Sequence, residues 1–254
     1  MTPLKASNAR LKDVRRLSRR SVRTERRLFL ADGPKAVEAA LAAGCVEEVF
    51  LRAGAEPPAP PADVRVTVVE DRALELLSDA VTPAGVVALC RFVDVPVAEA
   101  LSGARLVAVC ADVRDPGNAG TVIRCADAAG ADAVVLAGHS VDLYNPKTLR
   151  ASVGSAFHLP VAVEPSAAAA VQAAGAAGLT VLAADGAGEV GLYDAPLGGP
   201  TAWLFGNEAW GLPDDLAALA DHRVAIPIHG RAESLNLSTA AVLCLYESAR
   251  AQRS

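Results

Sequence analysis

The sequence predicts an α/β protein of two domains, in which a parallel sheet covered by helices on both faces follows a smaller α/β domain. Three observations lead to this prediction. From residue 105 onward, short and almost continuously apolar segments alternate with helical patterns, as in parallel sheets buried between helices. Before residue 94, shorter helix and strand patterns alternate. The chain has 254 residues and is 52% hydrophobic, which is enough for the cores of two domains.

The smaller domain is predicted over residues 1–94, and a linker is predicted at Val95–Gly103. Pro34 suits the first turn of a helix and Gly44 suits its end, which bounds one helix. The proline-rich segment Glu56–Pro61 is predicted as a surface loop. The strands are predicted at Leu28–Leu30, Val46–Leu51, Val64–Val69 and Gly85–Phe92, and the helices at Pro34–Ala43 and Asp71–Leu77.

The larger domain is predicted over residues 104–254 and ends in a long helix, Asn236–Arg250. The alanine-rich segment Ala167–Ala184 is predicted as a helix followed by a strand, since Gln172 and Thr180 interrupt its apolar character. The strands are predicted at Arg105–Ala111, Ala133–Ala137, Leu159–Val163, Leu179–Ala184, Thr201–Phe205 and Arg223–Ile228.

Composition narrows the class of protein. No run of about 20 apolar residues offers a membrane span, and the polar, basic N-terminus has no apolar core of a secretory signal. The five cysteines are odd in number and widely spaced, which favours reduced, mostly buried thiols and shows no zinc-ligand pattern. We therefore expect a cytoplasmic protein without a metal.

Charge is distributed unevenly. The net charge is −5, yet residues 10–27 contain nine arginines and lysines, a density that favours an anionic partner such as an RNA backbone. A solvated, partly disordered basic tail is the alternative. Lys147 and Arg150, near a helix predicted to open at Arg150, are further candidates for phosphate contacts, or else ordinary surface charges. The candidate RNA-binding residues are Arg15, Arg16, Arg19, Arg20, Lys147 and Arg150.

Three polar loops follow predicted strands of the larger domain. They lie at Asp115–Arg124, Leu204–Leu212 and Ile226–Ala240, and each contains glycine, asparagine and a charged residue. Open α/β sheets bind ligands at the carboxyl ends of their strands, so these loops can converge on one crevice. Taken alone, the third loop also fits a simple capped helix, because serine and asparagine accept the first N–H groups of helices.

The three loops together resemble the SpoU (TrmH) family of RNA 2′-O-ribose methyltransferases, in the SPOUT superfamily. The resemblance covers about residues 105–250, with the motifs in the family's order and spacing. The first motif, N-x-G-x-x-x-R, is matched by Asn118, Gly120 and Arg124. The second, G-x-E-x-x-G-L, is matched by Gly206, Glu208, Gly211 and Leu212. The third is matched by Ile226, Pro227, Gly230, Ser234, Leu235, Asn236, Ser238 and Ala240.

The resemblance implies a trefoil knot near the C-terminus, S-adenosyl-L-methionine as the methyl donor, and a homodimer. It also implies that the smaller domain is similar to ribosomal protein L30e and binds RNA. Arg114, before the Asp-Pro pair, departs from the uncharged residue of many relatives and adds a positive charge near the expected RNA path.

The resemblance further implies roles for individual residues. The candidate catalytic residues are Arg124, Asn118, Glu208, Ser234 and Asn236, and the candidate cofactor-binding residues are Gly206, Asn207, Ile226, Ile228, Leu235 and Ala184. Because a guanidinium is essentially always protonated, anchoring a phosphate or stabilising an alkoxide suits Arg124 better than acting as a base. Glu208 is expected to orient Arg124 or a cofactor amine, or else to lie in the first turn of a helix.

The expected substrate is ribosomal RNA of the large subunit, and antibiotic resistance is one purpose of such methylation. A tRNA methyltransferase and a non-catalytic RNA-binding protein are the alternatives. A dinucleotide-dependent oxidoreductase is disfavoured, because Asp115–Gly120 lacks the Gly-x-Gly-x-x-Gly spacing.

Overall fold

A computed structural model describes residues 2–56 and 60–253. The α-helices are α1 (Ala9–Arg15), α2 (Arg20–Arg26), α3 (Pro34–Ala42), α4 (Asp71–Leu77), α5 (Val97–Ala100), α6 (Pro116–Ala129), α7 (Pro146–Ser152), α8 (Ala167–Ala176), α9 (Asp214–Ala217) and α10 (Leu237–Gln252). The strands are β1 (Leu28–Asp32), β2 (Val46–Arg52), β3 (Arg65–Val69), β4 (Val86–Arg91), β5 (Leu106–Ala111), β6 (Ala133–Ala137), β7 (Val161–Glu164), β8 (Thr180–Ala184), β9 (Val190–Gly191), β10 (Thr201–Phe205) and β11 (His222–Ala225).

The chain divides into two compact units. The first comprises the chain up to Val93 together with Tyr144–His158, and the second comprises Asp94–Leu143 and the chain from Leu159 onward. The segment that contains α7 therefore packs with the N-terminal residues, although it lies between two strands of the second unit in the sequence. The assignment of residues 1–94 and 104–254 to separate functions stays a prediction.

The first unit is built on a four-stranded sheet in the order β1-β4-β2-β3, in which only β2 and β3 run parallel. All four strands and both helices predicted for this part are present. The centre of the loop predicted at Glu56–Pro61 lies outside the described residues.

The basic N-terminal segment is folded, so the alternative of a partly disordered tail is wrong. It forms α1, a short 3-10 helix at Arg16–Ser18 and α2, whose apolar side chains are buried with α4 against one face of the sheet. Arg23 is only 4% exposed and donates to the carbonyl oxygens of Leu17 and Ser18 at 2.8 and 2.9 Å. The buried members of this segment are Leu11, Val14, Leu17 and Val22.

The opposite face of the same sheet is covered by α3 and α7. Alternating side chains of a strand point to opposite faces, and Phe29 of β1 points away from the cluster that includes Leu28 and Leu30. Its ring lies 4.6 Å from that of Tyr144 and 6.1 Å from that of Phe157. These aromatic contacts join Tyr144–His158 to the first unit.

The second unit contains a seven-stranded, wholly parallel sheet in the order β7-β6-β5-β10-β8-β11-β9. The predicted parallel sheet is therefore confirmed. An apolar cluster under α5 and α8 covers one face, and α6 and α10 pack together along the sheet. The fully buried indole of Trp203 donates to the Ser248 hydroxyl of α10 at 2.8 Å, which fixes that helix on β10.

Several predictions for this unit need correction. Residues 95–103, predicted as the linker, contain α5, and Ala100 and Leu101 are buried in the core of the second unit. Strand β9 is absent from the prediction, since two residues carry no periodicity. The helix expected to open at Arg150 begins at Pro146 and has Arg150 in its last turn. Strand β11 ends at Ala225, so Ile226 and Ile228 lie in the loop that follows.

All five cysteines are free thiols, and four of them are buried as predicted. Burial raises the pKa of the Cys110 thiol to about 12. Among the described residues, no helix has both the length and the apolar character needed to cross a membrane. Within the same residues, no group of three or more histidine, cysteine or acidic side chains is placed to hold a metal ion.

Candidate active site

A cleft of about 630 Å³ lies at the carboxyl ends of β8, β10 and β11, within the range of roughly 300–1,000 Å³ that ligand sites occupy. The loops after β10 and β11 form most of its wall. The cleft is lined by every residue predicted to bind the cofactor, namely Gly206, Asn207, Ile226, Ile228, Leu235 and Ala184. Glu208 and Ser234 also line it, as does Asp185, which the sequence analysis missed.

Asn207 shapes the loop after β10. Its side-chain amide donates to the Asp112 carbonyl oxygen at 2.7 Å, and its side-chain oxygen accepts from the backbone N–H of Ala209 at 2.8 Å. Its backbone forms two 2.9 Å hydrogen bonds with Gly211, which close a tight turn. Asn207 is buried, and these contacts give its side chain a structural task beside any contact with a ligand.

Gly206 is required by the protein backbone. A Cβ built on it would meet the Gly211 carbonyl oxygen at 2.5 Å and the Leu212 backbone nitrogen at 2.6 Å, closer than real contacts allow. Gly206 was predicted to bind the cofactor because of the resemblance. The structure gives it a further reason, because the chain returns over Gly206 immediately after the turn.

Glu208 connects the loop after β10 to the beginning of α6. Its carboxylate accepts from the backbone N–H groups of Arg114 at 3.3 Å and Asp115 at 3.1 Å, and from the Asn118 side-chain amide at 3.3 Å. A carboxylate is stabilised there by the positive end of the helix dipole. Among the described residues Glu208 forms no hydrogen bond or ion pair with Arg124, and its expected role in orienting Arg124 or a cofactor amine stays a prediction.

Asn118 is the residue at which the three motifs meet. Its amide donates to Glu208 of the second motif, and its side-chain oxygen accepts from Asn236 of the third at 3.1 Å. Asn236 also caps α10, because its side-chain oxygen accepts from the backbone N–H groups of Ser238 and Thr239. Capping and site formation are thus performed by the same side chain.

Arg124 lies on the third turn of α6 and is exposed. Asp115 is the N-cap of this helix, and Asn118 occupies its first turn. Six residues of one helix separate Asn118 from Arg124 by about 9 Å along the axis. Within the part of the chain that the structure describes, the guanidinium of Arg124 has no hydrogen bond or ion pair, so its charge is available to an anion.

Ser234 lies in the exposed loop between β11 and α10, where its hydroxyl has no hydrogen-bond partner among the described residues. The site therefore combines an open cleft, a hydroxyl on its wall and, on the neighbouring helix, an arginine with no partner among the described residues.

Comparison with known proteins decides the family. Residues 105–246 match the model of the SpoU rRNA Methylase family, and residues 8–88 match that of the MRM3-like substrate binding domain. The chain belongs to the SpoU rRNA methylase family. It is a methyltransferase by this membership.

Relatives of this SpoU methylase include the 23S rRNA (guanosine(2553)-2′-O)-methyltransferase RlmP of Bacillus subtilis, 34% identical over 95% of this chain and 96% of the relative. The 23S rRNA (uridine(2479)-2′-O)-methyltransferase of Streptomyces viridochromogenes is 42% identical over 53% of this chain and 49% of its own length. An AdoMet-bound rRNA methyltransferase from Sinorhizobium meliloti is 33% identical, with a TM-score of 0.85 over 98% of this chain and 97% of that one.

The candidate RNA-binding residues of this SpoU methylase all lie in the first unit. Arg15, Arg16, Arg19 and Arg20 are exposed on the segment from α1 to α2, where Arg16 pairs with Asp13 at 3.4 Å. Lys147 and Arg150 are also exposed, but their helix α7 covers the opposite face of the sheet. Arg150 pairs with Asp79 at 3.1 Å.

Not every basic residue near the N-terminus is available to a partner. Arg10 pairs with the buried carboxylate of Glu48, Arg26 pairs with Asp13 at 2.6 Å, and Arg23 is buried. The charge count of residues 10–27 therefore overstates the attraction that this segment offers to RNA.

Trp210 was not among the candidate residues. It is 54% exposed beside the site, and the Arg114 guanidinium carbon lies 5.1 Å from its ring centroid. The signal was present in the composition, because only two tryptophans occur and one of them falls inside the second motif.

Proposed function

We propose that this protein transfers a methyl group from S-adenosyl-L-methionine to a ribose 2′-hydroxyl of large-subunit ribosomal RNA. The main support for this proposal is that side chains of the three motifs contact one another at Asn118, beside a cleft. Arg124, which has no partner among the described residues, lies on the same helix as Asn118. The relatives named as 23S rRNA 2′-O-methyltransferases support this substrate. Residues 104–254 carry out the transfer in this proposal, and residues 1–94 bind RNA.

The cleft fits the proposed donor. Ile228 and Leu235 expose apolar side chains on its wall, which suits the faces of an adenine ring. Strand β11 ends at Ala225, so the backbone groups of the following loop, Ile226–Ile228, are not used by the sheet. They can form hydrogen bonds with the nitrogens of the adenine ring. When bound, S-adenosyl-L-methionine supplies an electrophilic methyl group on a good leaving group, so the protein needs chiefly to position the acceptor and assist its deprotonation.

Arg124 acts on the acceptor in this proposal. A guanidinium with no partner among the described residues can bind a substrate phosphate and stabilise the negative charge that develops on the 2′-oxygen while the hydroxyl proton passes to solvent water. Ser234 offers a hydroxyl on the cleft wall that can orient the acceptor. Hydrogen bonds between side chains hold the three loops together in this proposal. Asn118 bonds to Glu208 of the second motif and to Asn236 of the third.

In this proposal the exposed arginines of the segment from α1 to α2 attract the RNA electrostatically. Outside residues 10–27 acidic residues outnumber basic ones, so this segment is the main source of positive potential. Changing Arg15, Arg16, Arg19 and Arg20 to glutamate is expected to weaken RNA binding and to flatten its salt dependence, since fewer counterions are released. Lys147→Glu is the matched control on the opposite face, and a larger effect from it would move the RNA path to α7.

The remaining parts of the proposal follow from the family. They are a trefoil knot formed near the C-terminus, an L30e-like first unit, a cytoplasmic location and a homodimer. Leu243 and Tyr246 of α10 support pairing between two copies, because these large apolar side chains are exposed three residues apart on one helix. Sedimentation at micromolar concentration tests this, and an active species of 26.0 kDa would contradict it.

The decisive experiment measures transfer of a labelled methyl group from S-adenosyl-L-methionine to 23S rRNA, 16S rRNA and total tRNA in parallel. Mapping of ribose methylation then locates the product. We expect label in 23S rRNA alone, abolished by Arg124→Ala. Label in tRNA alone establishes the tRNA alternative, and no label in any RNA, with donor bound, establishes a non-catalytic RNA-binding protein.

A further inference from the structure

We propose that Trp210 is a stacking platform for a base of the RNA substrate, with Arg114 supporting the ring from beneath. The inference rests on the proposed RNA methyltransferase function and assigns the residue that positions a nucleotide next to the methylated one. Trp210 is thus a positioning residue on the acceptor side of the site.

The exposure of Trp210 lacks a packing explanation. The other tryptophan, Trp203, is fully buried in the core, whereas Trp210 is 54% exposed. Trp210 stands in the tight turn between Asn207 and Gly211, which two backbone hydrogen bonds of 2.9 Å close. A large aromatic ring is therefore presented to solvent on a constrained loop, which lowers the entropy lost when a ligand stacks on it.

The Arg114 guanidinium packs against the Trp210 ring and would hold it in place for a base. It lies 5.1 Å from the ring centroid, so a cation covers one part of the indole and leaves the rest for a second planar group. RNA-binding proteins recognise unpaired bases by stacking them on aromatic rings and arginine planes. The same positive charge attracts the phosphates that flank a stacked base.

The location separates this platform from the donor. Among the described residues, Ala209 and Gly211 line the cleft on either side of Trp210 in the sequence, whereas Trp210 itself does not. The backbone N–H of Arg114 donates to Glu208 at 3.3 Å, which ties the platform to the motif that joins the three loops. A base on Trp210 is thus held beside the site without entering the donor cleft.

Intrinsic fluorescence tests the stacking directly, because Trp203 is buried and Trp210 is the only other tryptophan. The probe is a short single-stranded oligoribonucleotide, compared with an abasic oligomer of the same length and charge. We expect quenching by the base-containing oligomer only, and its loss in Trp210→Phe. Equal quenching by the abasic oligomer, or no quenching by either, overturns the proposal.

Kinetics on 23S rRNA test the consequence. Trp210→Ala is expected to raise KM for RNA by about tenfold to a hundredfold, the range of a lost base stack, with unchanged affinity for S-adenosyl-L-methionine. Trp210→Phe is expected to recover most of the loss. Tyr193→Ala is the matched control, because Tyr193 is 66% exposed in the same unit outside the motif loops.

Two further outcomes overturn the stacking proposal, and a third refutes the proposed function instead. If Trp210→Ala keeps the wild-type KM for RNA, no base stacks there. If it keeps that KM and turns a dimer into a monomer in sedimentation, Trp210 is a contact between copies of the chain. Wild-type protein that quenches with the oligoribonucleotide yet methylates no RNA leaves the platform intact and refutes the proposed function instead.

Discussion

Replacing Gly206 by alanine tests why a glycine stands at this position. Either the turn after β10 requires it, or the ligand does. The added methyl group would meet the Gly211 carbonyl oxygen at 2.5 Å and the Leu212 nitrogen at 2.6 Å. These are backbone atoms, so the turn must move as a whole. This movement is expected to weaken or break both 2.9 Å hydrogen bonds between Asn207 and Gly211. Glu208 and Trp210, which lie in the same turn, would then shift.

The size of the effect follows from these contacts. The two hydrogen bonds contribute about 1 kcal/mol each, and overpacking by one methyl group costs about 1–3 kcal/mol. We therefore expect a loss of about 3–5 kcal/mol in the free energy of unfolding. A protein of this size changes its Tm by about 2–4 °C per kcal/mol, so Tm should fall by at least about 6 °C.

The assay is thermal unfolding combined with calorimetry using S-adenosyl-L-methionine. Gly230→Ala is the matched control, since Gly230 lines the same cleft but a Cβ there meets nothing within 4 Å. We expect Gly230→Ala to keep the wild-type Tm. If Gly206→Ala also keeps it and loses only donor affinity, the glycine serves the ligand alone and the argument from backbone packing is refuted.

Three further predictions concern the site and its surroundings. Arg124→Ala should lower methyl transfer by more than about tenfold, roughly 1.4 kcal/mol of barrier, with unchanged donor affinity in calorimetry; turnover within that limit removes Arg124 from catalysis. Asn236→Ala should lower both the stability, by about 1 kcal/mol for a lost helix cap, and the activity, whereas Asn236→Ser should keep the cap and lose only activity through the missing contact with Asn118. At pH 8 iodoacetamide should label Cys125 before Cys110 in the folded protein, because burial raises the pKa of the Cys110 thiol to about 12; mass spectrometry showing equal labelling would contradict this.

The parallel sheet was predictable because its strands are buried on both faces and read as apolar runs. Residues 133–137 and 201–205 were assigned with their observed bounds for this reason. Short elements could not be found in this way. Two residues of β9 have no period, and α5 has only four residues, whose burial against α8 is a property of the tertiary structure.

The site was predictable to a different degree. The positions of the polar loops after strand ends predicted that they converge on one crevice, because the carboxyl ends of parallel strands lie at one edge of the sheet. The individual cofactor-binding residues were implied by the resemblance, and they line this cleft. Spacing could not assign partners among polar side chains. Glu208 was expected near Arg124 but pairs with the start of α6, since the α-helix turns Arg124 away from Asn118 and places it two turns further along.

The grouping of Tyr144–His158 with the first unit also lay beyond sequence reasoning. Its signal is three aromatic side chains that are far apart in the chain, Phe29, Tyr144 and Phe157, and whose contact depends on the three-dimensional path of the backbone. Lys147 and Arg150 consequently belong to the unit that carries the basic N-terminal segment, which the linear order of motifs did not indicate.

The site divides its work between buried and exposed contacts. Buried groups fix the loops: Asn207 bonds across to Asp112, and the Gly206 backbone lies against Gly211. Exposed hydrogen bonds at Asn118 then set the orientation of side chains, and each contributes little to stability because water competes for it. Substitutions at Asn118 are therefore expected to alter turnover with little change in Tm, whereas substitutions at Gly206 alter both. Such a difference in measured Tm and turnover would assign Asn118 to the alignment of the three loops and Gly206 to the packing of the second loop.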